Sequence, residues 1–122
     1  MVTIQRVKNA AMMLDYGNNA NAGQITDDMI QGHIDDVAGY VDSWLNTLKV
    51  RSLNSDLIDR YVELEVVIRL CLSFYNDKNG GYIEALKVER DRYADVMERD
   101  VRRFASSNSF VKAPRLRGGV FE

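Results

Sequence analysis

The sequence predicts an all-α fold, a small bundle of about four helices around a buried central helix, with an extended C-terminal tail. Three stretches carry that prediction. Residues 56–75, DLIDRYVELEVVIRLCLSFY, place Leu57, Tyr61, Leu64, Ile68, Cys71 and Tyr75 at spacings of four and three, which is one stripe of a helix. From Val66 onward Val67, Leu70, Leu72 and Phe74 spread apolar surface around the other faces, with Arg69 and Ser73 as the polar interruptions. A helix apolar all round is a buried one. Residues 25–48 and 82–104 each carry a narrower apolar stripe with charged residues opposite, the pattern of helices lying on a core with one face. Fixing a backbone costs about 1 to 2 kcal/mol per residue, whereas a large apolar side chain returns about 1.5 to 3 kcal/mol on burial. The central helix therefore needs partners on several sides.

At 122 residues the chain is long enough for one domain with a true core, and the patterning divides it into a helical part, residues 1–105, and an extended arm, residues 106–122. Thr3 can cap a first helix whose stripe is Ile4, Val7, Ala11 and Leu14, with Gly17 as its stop. Residues 17–24, GNNANAGQ, read as a flexible loop. The second helix has the clearest start in the chain. Thr26 is its N-cap, Asp27 and Asp28 stand in the first turn where the helix dipole favours negative charge, and Ile25 and Ile30 are placed as a hydrophobic staple. Ile30, Ile34, Val37, Val41, Leu45 and Leu48 continue the stripe, with Trp44 beside it and partly buried. Gly32 and Gly39, one heptad apart, permit close approach of another backbone within or between subunits, and tolerated glycine is the alternative reading.

Residues 49–55 connect to the central helix, with Ser55 or Asp56 as its cap, and the NDKNGG run at 76–81 ends it. The fourth helix, residues 82–104, has the stripe Tyr82, Leu86, Tyr93, Met97, Val101 and Phe104. Lys87 with Asp91, Asp95 with Arg99, and Glu98 with Arg102 are opposite charges four apart, each worth about 0.2 to 0.5 kcal/mol on an exposed helix. After Ala105 periodicity disappears, and the stretch holding the only proline should be extended or disordered in the free protein. It keeps Phe110, Val111, Leu116, Val120 and Phe121, interleaved with Lys112, Arg115 and Arg117, and reads as a partner-binding arm in preference to a merely flexible terminus. On that reading its apolar residues are buried only in an assembly, and deleting residues 106–122 leaves the domain folded but unable to dock.

Net charge is −2, unevenly placed: residues 25–48 carry Asp27, Asp28, Asp35, Asp36 and Asp42 with no Lys or Arg, and the tail is basic. No apolar run is long enough to span a membrane and no signal peptide is recognisable, so the chain is expected to be made and kept in a cytoplasm. Cys71, the single cysteine, falls on the buried helix and reads as a core residue.

No residues point to catalysis, to a metal or to a cofactor. His33 is alone, which removes paired-histidine zinc sites and Glu-x-x-His di-iron sites. The glycine pair at 80–81 lacks the rest of a phosphate loop. All-helical nucleotide pyrophosphatases need a Glu-x-x-Glu pair, and the chain offers only Asp95-x-x-Glu98 on a face expected to be exposed. A DNA-reading helix would expose basic and amide side chains, whereas the second helix is purely acidic and repels phosphate.

A long helix opening on a Thr-Asp-Asp cap (ITDDMIQGHIDDVAGYVDSWL), a short connection, a buried helix ending in LCLSFYN, a glycine turn and a charged amphipathic helix follow one another in an order that resembles the head-tail connector, or head-completion adaptor, proteins of tailed viruses. The resemblance covers residues 25–104. It implies a non-catalytic virion neck protein, made in the host cytoplasm, that forms a ring, commonly twelve-fold, docks on the portal, extends the DNA channel and meets the next neck or tail component. On that reading Asp27, Asp28, Asp35, Asp36 and Asp42 face a channel that DNA passes without sequence-specific binding, and the tail residues dock on a neighbour. The alternatives are a small cytoplasmic helical adaptor that binds a partner through the same tail and, more remotely, a pyrophosphatase-like enzyme.

Overall fold

The structure, a computed structural model, describes residues 1–12, 14, 16, 25–48, 53–75, 81–105 and 116. It is an all-α bundle of four helices: α1 (Ile4–Ala10), α2 (Asp27–Thr47), α3 (Ser55–Phe74) and α4 (Gly81–Ala105). α3 packs against each of the other three, most extensively against α4, and α1 also touches α2. Among the described residues no Cα of α2 comes within 8 Å of a Cα of α4, so α3 is the helix on which both pack. The expected hub is the observed one.

Burial explains why α3 holds that place. Every residue from Tyr61 to Ile68 is buried, as are Leu70 and Cys71, which one-sided packing could not achieve. α2 gives one face to this core through Ile30, Ile34, Val37, Val41, Trp44 and Leu45, and α4 gives Ala94, Met97 and Val101. Two details depart from the periodic reading. Leu72 is 55% exposed although its neighbours Leu70 and Cys71 are buried, and Trp44 is inside the core, 3% exposed, where partial burial was expected.

The caps follow the local chemistry. Thr3 Oγ1 accepts from the Arg6 amide at 3.2 Å and Thr26 Oγ1 from the Met29 amide at 3.3 Å, while Ile25 and Ile30 are both buried beneath the start of α2. α3 is capped one residue earlier than expected. Asn54 Oδ1 accepts from the Asp56 amide at 2.9 Å, so Asn54 and neither Ser55 nor Asp56 is the cap. α1 is shorter than its stripe. The helix ends at Ala10, yet Ala11 and Leu14 stay buried because the chain turns there, with the Leu14 amide donating to the Ala11 carbonyl at 3.2 Å. Tyr16 Oη donates to the same carbonyl at 2.7 Å, and a bridge between Tyr16 and Ile25 brings the chain back to α2. The expected loop at 17–24, the Gly17 stop, the connection over 49–52 and the turn over 76–80 lie outside the described residues.

Candidate functional site

Asp28, Asp35, Asp36 and Asp42 project from the outer face of α2, as a helix with five acids and no base should place them. Asp27 is only half exposed and takes Lys8 Nζ at 2.7 Å, which ties α1 to the first turn of α2. Gly32 and Gly39 lie on the same outer face, and a Cβ added at either would meet nothing within 4 Å. Among the described residues no close helix contact accounts for them, although each costs about 1 kcal/mol relative to Ala in a helix interior.

Of the eight tail residues read as partner-binding, one is described, and it corrects the expectation. Leu116 is 0% exposed within its own chain. Its amide donates to Glu98 Oε1 at 2.7 Å, and its carbonyl accepts from Tyr61 Oη at 3.2 Å. A carboxylate and a phenol on α4 and α3 thus satisfy both backbone groups of a leucine whose side chain fills the core, so Leu116 is an internal anchor. Phe110, Val111, Lys112, Arg115, Arg117, Val120 and Phe121 lie outside the described residues. Burial is the first reason that the Tyr61 phenol is pushed above its ordinary value. The burial of Leu116 runs against the expectation that the domain is indifferent to loss of its tail. Replacing Leu116 with Ala is expected to destabilise the chain by about 2 to 5 kcal/mol. Removing residues 106–122 should do at least as much, because it also strips Glu98 and Tyr61 of the groups they hold. Thermal melts of both variants check this, and wild-type melting would return the tail to the status of an independent arm.

Glu98 itself was read as half of an exposed pair with Arg102. It is 7% exposed and turned inward to the Leu116 amide. Buried charge is concentrated where α3 meets α4. Arg90 Nη1 pairs with Glu65 Oε2 at 3.2 Å, with side chains 1% and 2% exposed, and Arg90 Nε reaches Asp91 Oδ1 at 3.2 Å. A second chain of charges runs across three helices: Arg6 Nε to Glu63 at 2.9 Å, Glu63 to Arg60, and Arg60 Nη2 to Glu89 at 2.8 Å. Burial works against the Arg60 charge, but hydrogen bonds to Glu89 and Glu63 outweigh it and raise the guanidinium above its ordinary value. Periodicity held a signal for these residues. Arg90 comes four after Leu86 and three before Tyr93, Glu65 lies between Tyr61 and Ile68 on the central stripe, and Glu98 lies between Ala94 and Val101.

His33 faces α3 from α2. Burial first, then the neighbouring Arg69 guanidinium, hold its imidazole below the ordinary 6.5, with Asp36 opposing. The unfolded chain therefore binds the proton more tightly than the folded one, so His33 withdraws stability as pH falls from about 6.5 through the folded value. Urea unfolding of wild type and His33→Gln between about pH 7.5 and 5.5 is expected to show the wild type losing more stability than the variant. Parallel losses would remove His33 from the account. At the far end of the bundle burial, aided by Cys71 and Tyr82, pushes the Tyr16 phenol up to about 12, and Tyr75 meets Tyr82 edge to face at 5.6 Å. Cys71, the single cysteine, is buried on α3.

A groove of about 550 Å³ opens where the N-terminal residues cross α2 and α3, with Ile34, Ile58 and Val62 in its wall and Asp35, Asp42 and Asp59 among its lining carboxylates. Among the described residues no three His, Cys, Asp or Glu side chains gather as a metal site would require, and no helix is long and apolar enough to cross a membrane. What the arrangement offers is recognition: an acidic outer helix and a charged helix packed on the same hub, and a tail segment pinned at one leucine. No protein-family model, curated protein or solved structure matches the chain.

Proposed function

We propose that the protein is a structural subunit of a virion neck, a head-tail connector that forms a ring on the portal and joins head to tail. The observation that carries the reading is the unlike surfaces of two helices that pack on the same hub: α2 and α4 both lie on α3, and the charged groups that α2 exposes are acids alone while those of α4 are of both signs. A ring subunit needs two different faces that complement each other head to tail. The acidic face also suits a protein that DNA passes without adhering, since phosphates are repelled from it. Charges confined within the core between α3 and α4 act on folding, and the chain's remaining polar chemistry serves surfaces. Leu116 belongs to the core of its own chain, and Phe110, Val111, Val120 and Phe121 are the tail residues that this reading assigns to the portal or the next neck component.

Binding to the portal tests this reading. Purified chain titrated onto isolated portal rings from particles made by the same host is expected to saturate at one chain per portal subunit, twelve where the portal is twelve-fold, and to sediment with the ring. Absence of binding at millimolar chain would overturn it.

A further inference from the structure

The outward faces of α2 and α4 share a period. On α2 the exposed positions 28, 32, 35, 39, 42 and 46 are Asp, Gly, Asp, Gly, Asp and Asn, spaced four and three in turn. On α4 the exposed positions 85, 88, 92, 95, 99 and 102 are Ala, Val, Arg, Asp, Arg and Arg, spaced three and four in turn. A repeat of 3.5 residues is the period at which one helix stays in register along another. Each seam runs over 18 or 17 residue steps, about 26 Å of helix. Asp28, Asp35 and Asp42 recur every seven residues, and so do Arg92 and Arg99.

We infer that the α2 seam of one copy packs along the α4 seam of a second copy, making a head-to-tail contact in which Arg92 and Arg99, seven residues apart, lie on two successive members of the row Asp28, Asp35 and Asp42, and Arg102, three residues beyond Arg99, reaches along the helix toward the carboxylates. The glycines supply an independent reason. A Cβ added at Gly32 or Gly39 would meet none of the described residues within 4 Å although glycine is a poor helix former, and between the aspartates the two glycines form notches that let a second helix approach closely. Arginine stems can lie over those notches while the guanidinium forks reach the flanking carboxylates. Val88, 56% exposed, is covered by the same contact. The two seams are on different helices, so each copy offers one of each, and the contact propagates to a ring if its rotation closes. The inference rests on the ring reading only in taking a second copy as the partner, and it assigns the acidic face to that neighbour in place of the DNA channel.

Sedimentation equilibrium of the isolated full chain at low salt tests it, so that absence from particles would sink the ring reading without touching this contact. Wild type is expected to self-associate and to dissociate as salt rises. The triple variants Asp28→Lys/Asp35→Lys/Asp42→Lys and Arg92→Glu/Arg99→Glu/Arg102→Glu should each remain monomeric, and an equimolar mixture should associate, because each supplies the seam the other has lost. Gly32→Gln/Gly39→Gln changes no charge, and the added Cβ atoms meet none of the described residues within 4 Å. It should keep the wild-type circular dichroism spectrum and associate at least tenfold more weakly. The inference is overturned by a wild type that stays monomeric at millimolar concentration, by a mixture that does not associate, or by a glutamine variant that associates like wild type. A lysine variant that self-associates like wild type and captures duplex DNA would give the acidic face back to the channel.

Discussion

Replacing Arg90 with Leu is expected to destabilise the chain by about 3 to 5 kcal/mol, the effect of leaving a buried carboxylate without its cation. Glu65, 2% exposed, loses the guanidinium that sits 3.2 Å away, and neither α3 nor α4 leaves it a route to water. Glu65→Leu alone should cost less, because Arg90 keeps Asp91 Oδ1 at 3.2 Å. The double replacement Glu65→Leu/Arg90→Leu should recover most of the loss or exceed the wild type, since a buried pair scarcely outweighs its own desolvation and an apolar pair of similar volume packs without that penalty. Urea unfolding of the four proteins gives the coupling directly. If the two single losses simply add in the double variant, the pair is not acting as a pair.

The second large effect is at the hub. Ile68 is 0% exposed and Leu64 2%, both on the helix that contacts all the others. Ile68→Asp puts a carboxylate where no cation was placed for it, so the group must neutralise or its surroundings must open. Cooperative melting by circular dichroism is expected to disappear, because losing α3 removes the surface on which α1, α2 and α4 are held. Leu64→Asp should behave alike. A cooperative melt at the wild-type temperature in either variant would mean that α3 is not the centre of the fold.

The hub was legible because its signal is redundant. Apolar residues on several faces of residues 61–71 point to burial from more than one side, and the Thr26 cap with its staple fixes where α2 begins. The buried charges were less legible for a physical reason. Periodicity reports which positions face inward, but an ionised residue in such a position reads as a break in the stripe until its partner on another helix is known. Arg90 breaks the α4 stripe and Glu65 the α3 stripe, and only their meeting across the interface explains both. Glu98 misled for a related reason: the helix spacing to Arg102 is correct for a surface pair, but the Leu116 amide, eighteen residues on, offers the carboxylate a buried partner that no local pattern encodes. The acidic face was visible at once, whereas its match to the α4 seam required knowing which residues of α4 point outward.

The central claim is that this chain works as one of many identical copies in a neck ring. Quantitative mass spectrometry of purified particles, calibrated against the portal protein in the same sample, measures it most directly. The account predicts a copy number equal to that of the portal, twelve per particle where the portal is twelve-fold. A single copy per particle, or none, would contradict it.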